Sequence, residues 1–211
     1  KARCKALLKQ ALGLAEGDAP LLVSISRLAD QKGFNLLIPA LWETLRSTDA
    51  QVALLGSGDV NLAAQLHRLA REYPTRVAFV EGYDNALAHR LEAGGDAFLM
   101  PSIFEPCGLN QIYSLRYATL PLVRAVGGLK DTVVPLADDG TNAGQATGFM
   151  FADPTPDALI TELHHLIRVY QEQPEVWLGM QRTAMKQRFE WATAAKAYVS
   201  LYRKLLKVPR H

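Results

Sequence analysis

Five short apolar runs, each followed by polar or glycine-rich residues and then by a helix-like stretch, constrain this chain most. They are Leu21–Ser26 (LLVSIS), Val52–Leu55 (VALL), Val77–Val80 (VAFV), Ala97–Met100 (AFLM) and Leu120–Val123 (LPLV). Runs this short, bounded by turn residues, read as buried strands. Between them the pattern predicts helices over 34–47, 60–72, 85–93 and 110–117. Pro39 falls in the early turns of the first, where it costs only a slight bend. Strands that alternate with helices give a doubly wound parallel sheet, an α/β fold of Rossmann type. Helices are also predicted over 2–12, with Gly13 as the stop, and over 156–171, 174–187 and 190–206. Phe149–Phe151 reads as a sixth short strand, and the polar, glycine-rich 138–148 as a loop. The late helices exceed what a minimal sheet needs, so they are expected to cover an edge or to pack on something else.

At 211 residues the chain suffices for one domain, 1–211, with a sizeable core. A net charge of +2 gives no bulk electrostatic case for nucleic acid, and no apolar run is long enough to span a bilayer. The two cysteines, Cys4 and Cys107, are far apart, which fits a reducing compartment and neither a disulfide framework nor a metal spacing. Positive charge gathers at the two ends, in Lys1, Arg3, Lys5, Lys9 and in Arg203, Lys204, Lys207, Arg210. These read as solvated helix faces. The opening KARCKALLKQ is a charged amphipathic helix without an initiator methionine, and reads as the middle of a longer protein.

Every unusual polar cluster falls at the end of a predicted strand. Strand one leads to Arg27 and Lys32, strand two to Gly56–Asp59, and strand three to Gly82-Tyr83. Strand four leads to Glu105, Cys107 and Gly108, and strand five to Gly127-Gly128. The carboxyl ends of parallel strands share one rim, so these groups are expected to converge. Two cations, backbone donors freed by glycine, one aromatic ring and one carboxylate suit a phosphorylated ligand with a neutral polar part. Neither G-x-G-x-x-G nor a Walker lysine motif occurs, which disfavours dinucleotide redox and P-loop chemistry. Metal binding has no support in ligand spacing.

Each residue also has a plain structural reading. Arg27 and Lys32 taken alone suit a solvated loop. A lone glutamate such as Glu105 is usually surface. Cys107 suits a small buried filler, since no histidine lies nearby to activate it. Tyr83 suits the core or a stacking role on a base, and the sequence leaves both open. His89 reads as structural, and His164 and His165 receive no role.

Residues 104–133, FEPCGLNQIYSLRYATLPLVRAVGGLKDTV, resemble the signature segment of bacterial glycogen synthases and plant starch synthases. SRLADQKGFNLL at 26–37, LLGSGD at 54–59, GYDNALAHRLEAGGDAFLMPS at 82–102, TGFMF at 147–151 and the closing FEWATAAKAYVSLYRKLL resemble the same family. The resemblance implies the C-terminal, donor-binding half of a two-domain GT-B glucosyltransferase that retains configuration and needs no metal or other cofactor. It implies ADP-glucose as donor, the non-reducing end of glycogen or another α-1,4-glucan as acceptor, and a bacterial, cytoplasmic setting. Arg27 and Lys32 match the pair that neutralises the donor diphosphate. Glu105 matches the essential glutamate near the reacting centre, and the backbone at Cys107, Gly108 and Leu109 the part that holds sugar hydroxyls. Asn110, Gly82 and Tyr83 match positions near the ribose, phosphates and base. Tyr113 stands where related retaining enzymes carry a second glutamate, which favours the synthases. Asn110 is often threonine in bacterial members, Ala118 replaces a common glycine and Lys130 a common alanine. The last helix is expected to cross to an absent N-terminal half, without which the chain is expected to be inactive. Two rivals stay open. One is a GT-B enzyme using UDP- or GDP-sugars, and the other a non-catalytic nucleotide-sugar or glycan-binding module.

Overall fold

The computed structural model describes residues 1–206. Its centre is a six-stranded parallel sheet in the order β3-β2-β1-β4-β5-β6. The strands are β1 (Leu21–Ile25), β2 (Gln51–Gly56), β3 (Val77–Glu81), β4 (Ala97–Met100), β5 (Leu120–Arg124) and β6 (Phe149–Phe151). The helices are α1 (Ala2–Leu12), α2 (Phe34–Ser47), α3 (Val60–Glu72), α4 (Asn85–Gly94), α5 (Asn110–Arg116), α6 (Gly127–Thr132), α7 (Pro156–Glu172), α8 (Pro174–Lys186) and α9 (Trp191–Leu206).

Side chains alternate across each strand, and the sheet therefore has two apolar faces. Leu22, Val52, Leu54, Leu99 and Leu122 point into one core with the apolar stripes of α2, α3, α7 and α8. Leu21, Val23, Leu55, Phe98 and Val123 point into the other with Leu8 of α1, Leu91 of α4 and Leu129 of α6. Continuous burial on both faces is what makes these strands read as unbroken apolar runs.

Capping fixes where the helices begin. Asp59 accepts from the N–H groups of Asn61 and Leu62, Asp84 from Leu87, and Thr155 from Ala158 ahead of Pro156. Gly13 ends α1 in the left-handed conformation, as the sequence predicts.

The 138–148 excursion is a loop, as predicted, and it is tied down, with Asn142 bonded to both Ala137 N and Pro135 O and with Ala146 fully buried. Two expectations are corrected. The Gly127-Gly128 pair, which as sequence reads as a closing turn, opens α6. Of the cations of α1, Arg3 is solvated as expected, but Lys5 and Lys9 are not. Lys5 and Lys9 are buried, and Lys5 Nζ sits 2.6 Å from Asp96 and 2.9 Å from the Tyr170 hydroxyl. Asp96 in turn accepts from Leu21 N, so the pair fastens α1 to the amino edge of the sheet. At the other end Arg203 and Lys204 are exposed, while Lys207 and Arg210 lie outside the described residues.

Candidate functional site

The strand order reverses between β1 and β4. The chain winds from β1 outward through β2 to β3, then returns beside β1 as β4 and winds the other way. At such a reversal the connections leave in opposite directions and open a crevice beyond the carboxyl ends of the two strands. The β1 and β4 loops therefore face each other, and they carry Arg27, Lys32, Glu105 and Cys107 through Asn110.

A close backbone approach joins these loops. Gly33 has φ +75°, and a Cβ there would stand 1.9 Å from Pro101 O at the end of β4. Only glycine permits both the angle and the contact. The single 3₁₀ turn Asp30–Lys32 is thereby pressed against the 101–105 segment, where Ile103 N donates to Gln31 O at 2.9 Å. Lys32 Nζ consequently lies 2.5 Å from Glu105 Oε2. The same oxygen accepts from the Ser102 hydroxyl at 3.2 Å. Glu105 is 7% exposed, yet among the described residues its Oε1 takes no hydrogen bond. The result is a buried carboxylate held by one oxygen, with the other available.

The 105–108 loop is gripped from below by α6. A Cβ on Gly127 would fall 2.1 Å from Glu105 O, and one on Gly128 2.2 Å from Cys107 O. Gly128 N donates to both Glu105 O and Pro106 O at 3.2 Å. Arg124, at the end of β5, donates through Nε to Ser102 O at 2.8 Å and through its terminal nitrogen to Ile103 O.

Asn110 Nδ2 donates to Ile25 O at 2.9 Å, which ties α5 to the end of β1 across the crevice. It lines a cavity of about 30 Å³ together with Lys32, Ser24, Ser26 and Ser102. Arg27 is exposed on the β1 loop and pairs with no described residue. That loop is anchored to the β2 loop through Leu28 N to Ser57 O and Asp59 N to Leu28 O, both 2.9 Å.

Cys107, Gly108 and Leu109 occupy the turn into α5, with Gly108 at φ +74°. Cys107 is exposed, which overturns its reading as buried filler. Gly82 and Tyr83 follow the edge strand β3, three strand spacings from β4, or about 14 Å along the rim. Tyr83 is 90% exposed and so is not core. Rim geometry thus brings Lys32 and Glu105 into contact, sets Asn110 on the same small cavity as Lys32, leaves Arg27 exposed on the β1 loop, and leaves Gly82-Tyr83 at the far end.

Several residues that build the site escape a reading by residue type. Gly33 looks like an ordinary turn until Pro101 is found against it. Arg124 is passed over, although its place at the end of β5 is the signal that could have found it. Gln111 and Thr132, behind the loop, gave no signal. His165 is buried against the edge of the Phe149 ring, with Glu162 3.3 Å from its Nδ1 and far from the crevice. Among the described residues no group of three or more His, Cys, Asp or Glu is placed to hold a metal ion, and no helix is long and apolar enough to cross a membrane.

Comparison with known proteins agrees with this geometry. The family described as glycosyl transferases group 1 matches residues 8–177. A glycogen synthase of Aeromonas hydrophila is 50% identical over 96% of this chain and 41% of its own length. One of Anaeromyxobacter dehalogenans is 48% identical over 97% of this chain and 42% of its own. The chain therefore spans about two fifths of the relatives it matches. The catalytic domain of starch synthase IV from Arabidopsis thaliana, bound to ADP and acarbose, superposes with a TM-score of 0.86 at 32% identity, covering 96% of this chain and 42% of that one. With one half of a GT-B fold in its sheet and a family match over most of its length, this chain belongs to the glycosyl transferases group 1.

Proposed function

We propose that this chain is the nucleotide-sugar half of an ADP-glucose-dependent α-1,4-glucan synthase. The intact enzyme would transfer glucose to the non-reducing end of glycogen or a similar glucan with retention of configuration. The observation that carries the reading is the half-buried Lys32–Glu105 pair at the β1–β4 crevice, with the unpaired Arg27 guanidinium on the same loop. The relatives named glycogen synthase and the starch synthase holding ADP support the substrate class.

The chemistry follows from charge. As the glycosidic bond to the diphosphate breaks, negative charge grows on the leaving oxygen and positive charge on the sugar ring. Arg27 and Lys32 lie on the side where they stabilise the diphosphate, and preorganised cations in a half-buried cleft do so without solvent reorganisation. Glu105, anchored through Oε2, offers Oε1 to the glucosyl ring and opposes its positive charge. Gly108 and Leu109 offer backbone N–H groups to sugar hydroxyls. Tyr83, exposed at the far end of the rim, is placed for the ribose or base, and Asn110 Oδ1 for the ribose–phosphate region. No metal or other cofactor has a part in this scheme. The acceptor surface and the remaining catalytic groups belong to an N-terminal half, and α9 presents its apolar side chains to that half. The exposed thiols of Cys4 and Cys107 accord with a reducing, cytoplasmic setting.

Calorimetric titration of the chain with ADP, ADP-glucose and UDP-glucose tests the reading. The adenine nucleotides are expected to bind more tightly than UDP-glucose. A preference for UDP-glucose would move the function toward a GT-B enzyme that uses UDP-sugars. In a glucan-transfer assay the chain alone is expected to show no turnover, and glucose transfer to glycogen would contradict that.

A further inference from the structure

Gln111 is fully buried in the first turn of α5, directly behind the Cys107–Leu109 turn. Its Nε2 donates to Cys107 O at 3.0 Å, Gly108 O at 3.1 Å and Thr132 Oγ1 at 3.1 Å. Three acceptors around one nitrogen fix which way the amide is turned. Thr132 Oγ1 donates onward to Gly128 O, so the brace is locked to α6. The other end of the amide, Oε1, has no hydrogen-bond partner and faces Gly108, where a Cβ would stand 2.5 Å away. A fully buried amide left half satisfied is costly, and it persists where the surrounding arrangement needs it.

The consequence lies on the opposite side of the peptides. All peptide bonds here are trans, so each carbonyl and the N–H of the following residue point in opposite directions. By drawing the carbonyls of residues 107 and 108 inward, Gln111 turns the N–H groups of Gly108 and Leu109 outward. Neither N–H has a partner among the described residues.

We propose that Gln111 is a positioning residue that aims these two N–H groups at the glucosyl unit of the donor and thereby serves the transfer step more than nucleotide binding. The proposal rests on the donor-site reading above. Gln111 touches no substrate. It acts through the loop, with Thr132 as its support.

The test uses the enzyme with its N-terminal half joined, comparing wild type with Gln111→Met, which keeps the volume and removes the donor. The expected result is a fall in kcat of about 100-fold, the scale of losing an aligned backbone-type donor, with the inhibition constant of ADP changed less than threefold. The split arises because Arg27 and Lys32 still hold the diphosphate. A kcat within threefold of wild type would overturn the proposal, as would an equal loss in kcat and in ADP affinity, which signals general collapse of the loop. Should Gln111→Met not fold, Thr132→Val decides the matter, with a smaller fall in kcat and unchanged ADP inhibition expected, and wild-type kcat contradicting. A wild-type enzyme that transfers nothing from ADP-glucose would sink the donor reading itself. Normal turnover by both variants would sink this inference alone.

Discussion

At Gly33 the backbone takes φ +75° with Pro101 O pressed against it, and Lys32 meets Glu105 because of that contact. Gly33→Ala combines left-handed strain with a backbone clash, and is expected to cost at least about 2 kcal/mol. Chemical denaturation checks the cost, and donor affinity should fall with it, since the β1 loop must retreat from β4. Lys5 is the second informative residue. Burial alone would lower the pKa of its ammonium, but the Asp96 carboxylate, helped by Tyr170, outweighs this and raises it above the ordinary 10.5. The folded-state value thus exceeds the unfolded one, so the contribution is fully present below about pH 10.5 and is lost as pH rises through the folded value. Lys5→Met leaves Asp96 buried without its partner and is expected to cost about 3 kcal/mol at pH 8. The stability gap to wild type should narrow above pH 10.5, and a gap that stays constant to pH 12 would exclude the ion pair as its cause. Neither Lys5–Asp96 nor Lys32–Glu105 was legible as a pair. Each joins residues far apart in sequence, the latter 73 positions apart, and only the sheet order brings them together. Charged groups at a rim can be found from sequence, but their partners cannot.

At the scale of elements, the strands and most helices were legible because burial on both faces writes unbroken apolar runs with helix-like stretches between them. α6 was missed because a six-residue helix opened by two glycines carries the signature of a turn. The α1 lysines were misread because side-chain type says surface, whereas Lys5 and Lys9 reach the amino edge of the sheet and find Asp96 and Gly17 O there. α9 stands apart from all of these. No residue of it is buried, and Trp191, Tyr198, Leu201, Tyr202, Leu205 and Leu206 are exposed. Truncation after Glu190 is therefore expected to shift the thermal midpoint by less than about 2 °C, the equivalent of under 1 kcal/mol for a body this size. Sedimentation should show the whole chain self-associating through this apolar face and the truncated chain monomeric. A large drop in midpoint would mean that α9 packs on the body after all.

For the whole molecule, the fold determines where the chemistry lies. A sheet ordered 3-2-1-4-5-6 has one reversal, and a lysine of one loop meets the carboxylate of another across it. The sequence placed Arg27, Lys32 and Glu105 on a common rim. The reversal adds that Lys32 faces Glu105, with Arg27 on the same loop as Lys32 and Gly82-Tyr83 some three strands away. This separation suits an extended nucleotide-sugar laid along the rim from sugar to base. The most direct measurement is calorimetric titration of ADP into the wild-type chain and into the double variant Arg27→Ala with Lys32→Ala. Two charge-assisted contacts to the diphosphate predict a loss of at least 30-fold, from about 2 kcal/mol or more. Equal affinity of the two proteins for ADP would place the phosphates elsewhere and contradict the donor crevice between β1 and β4.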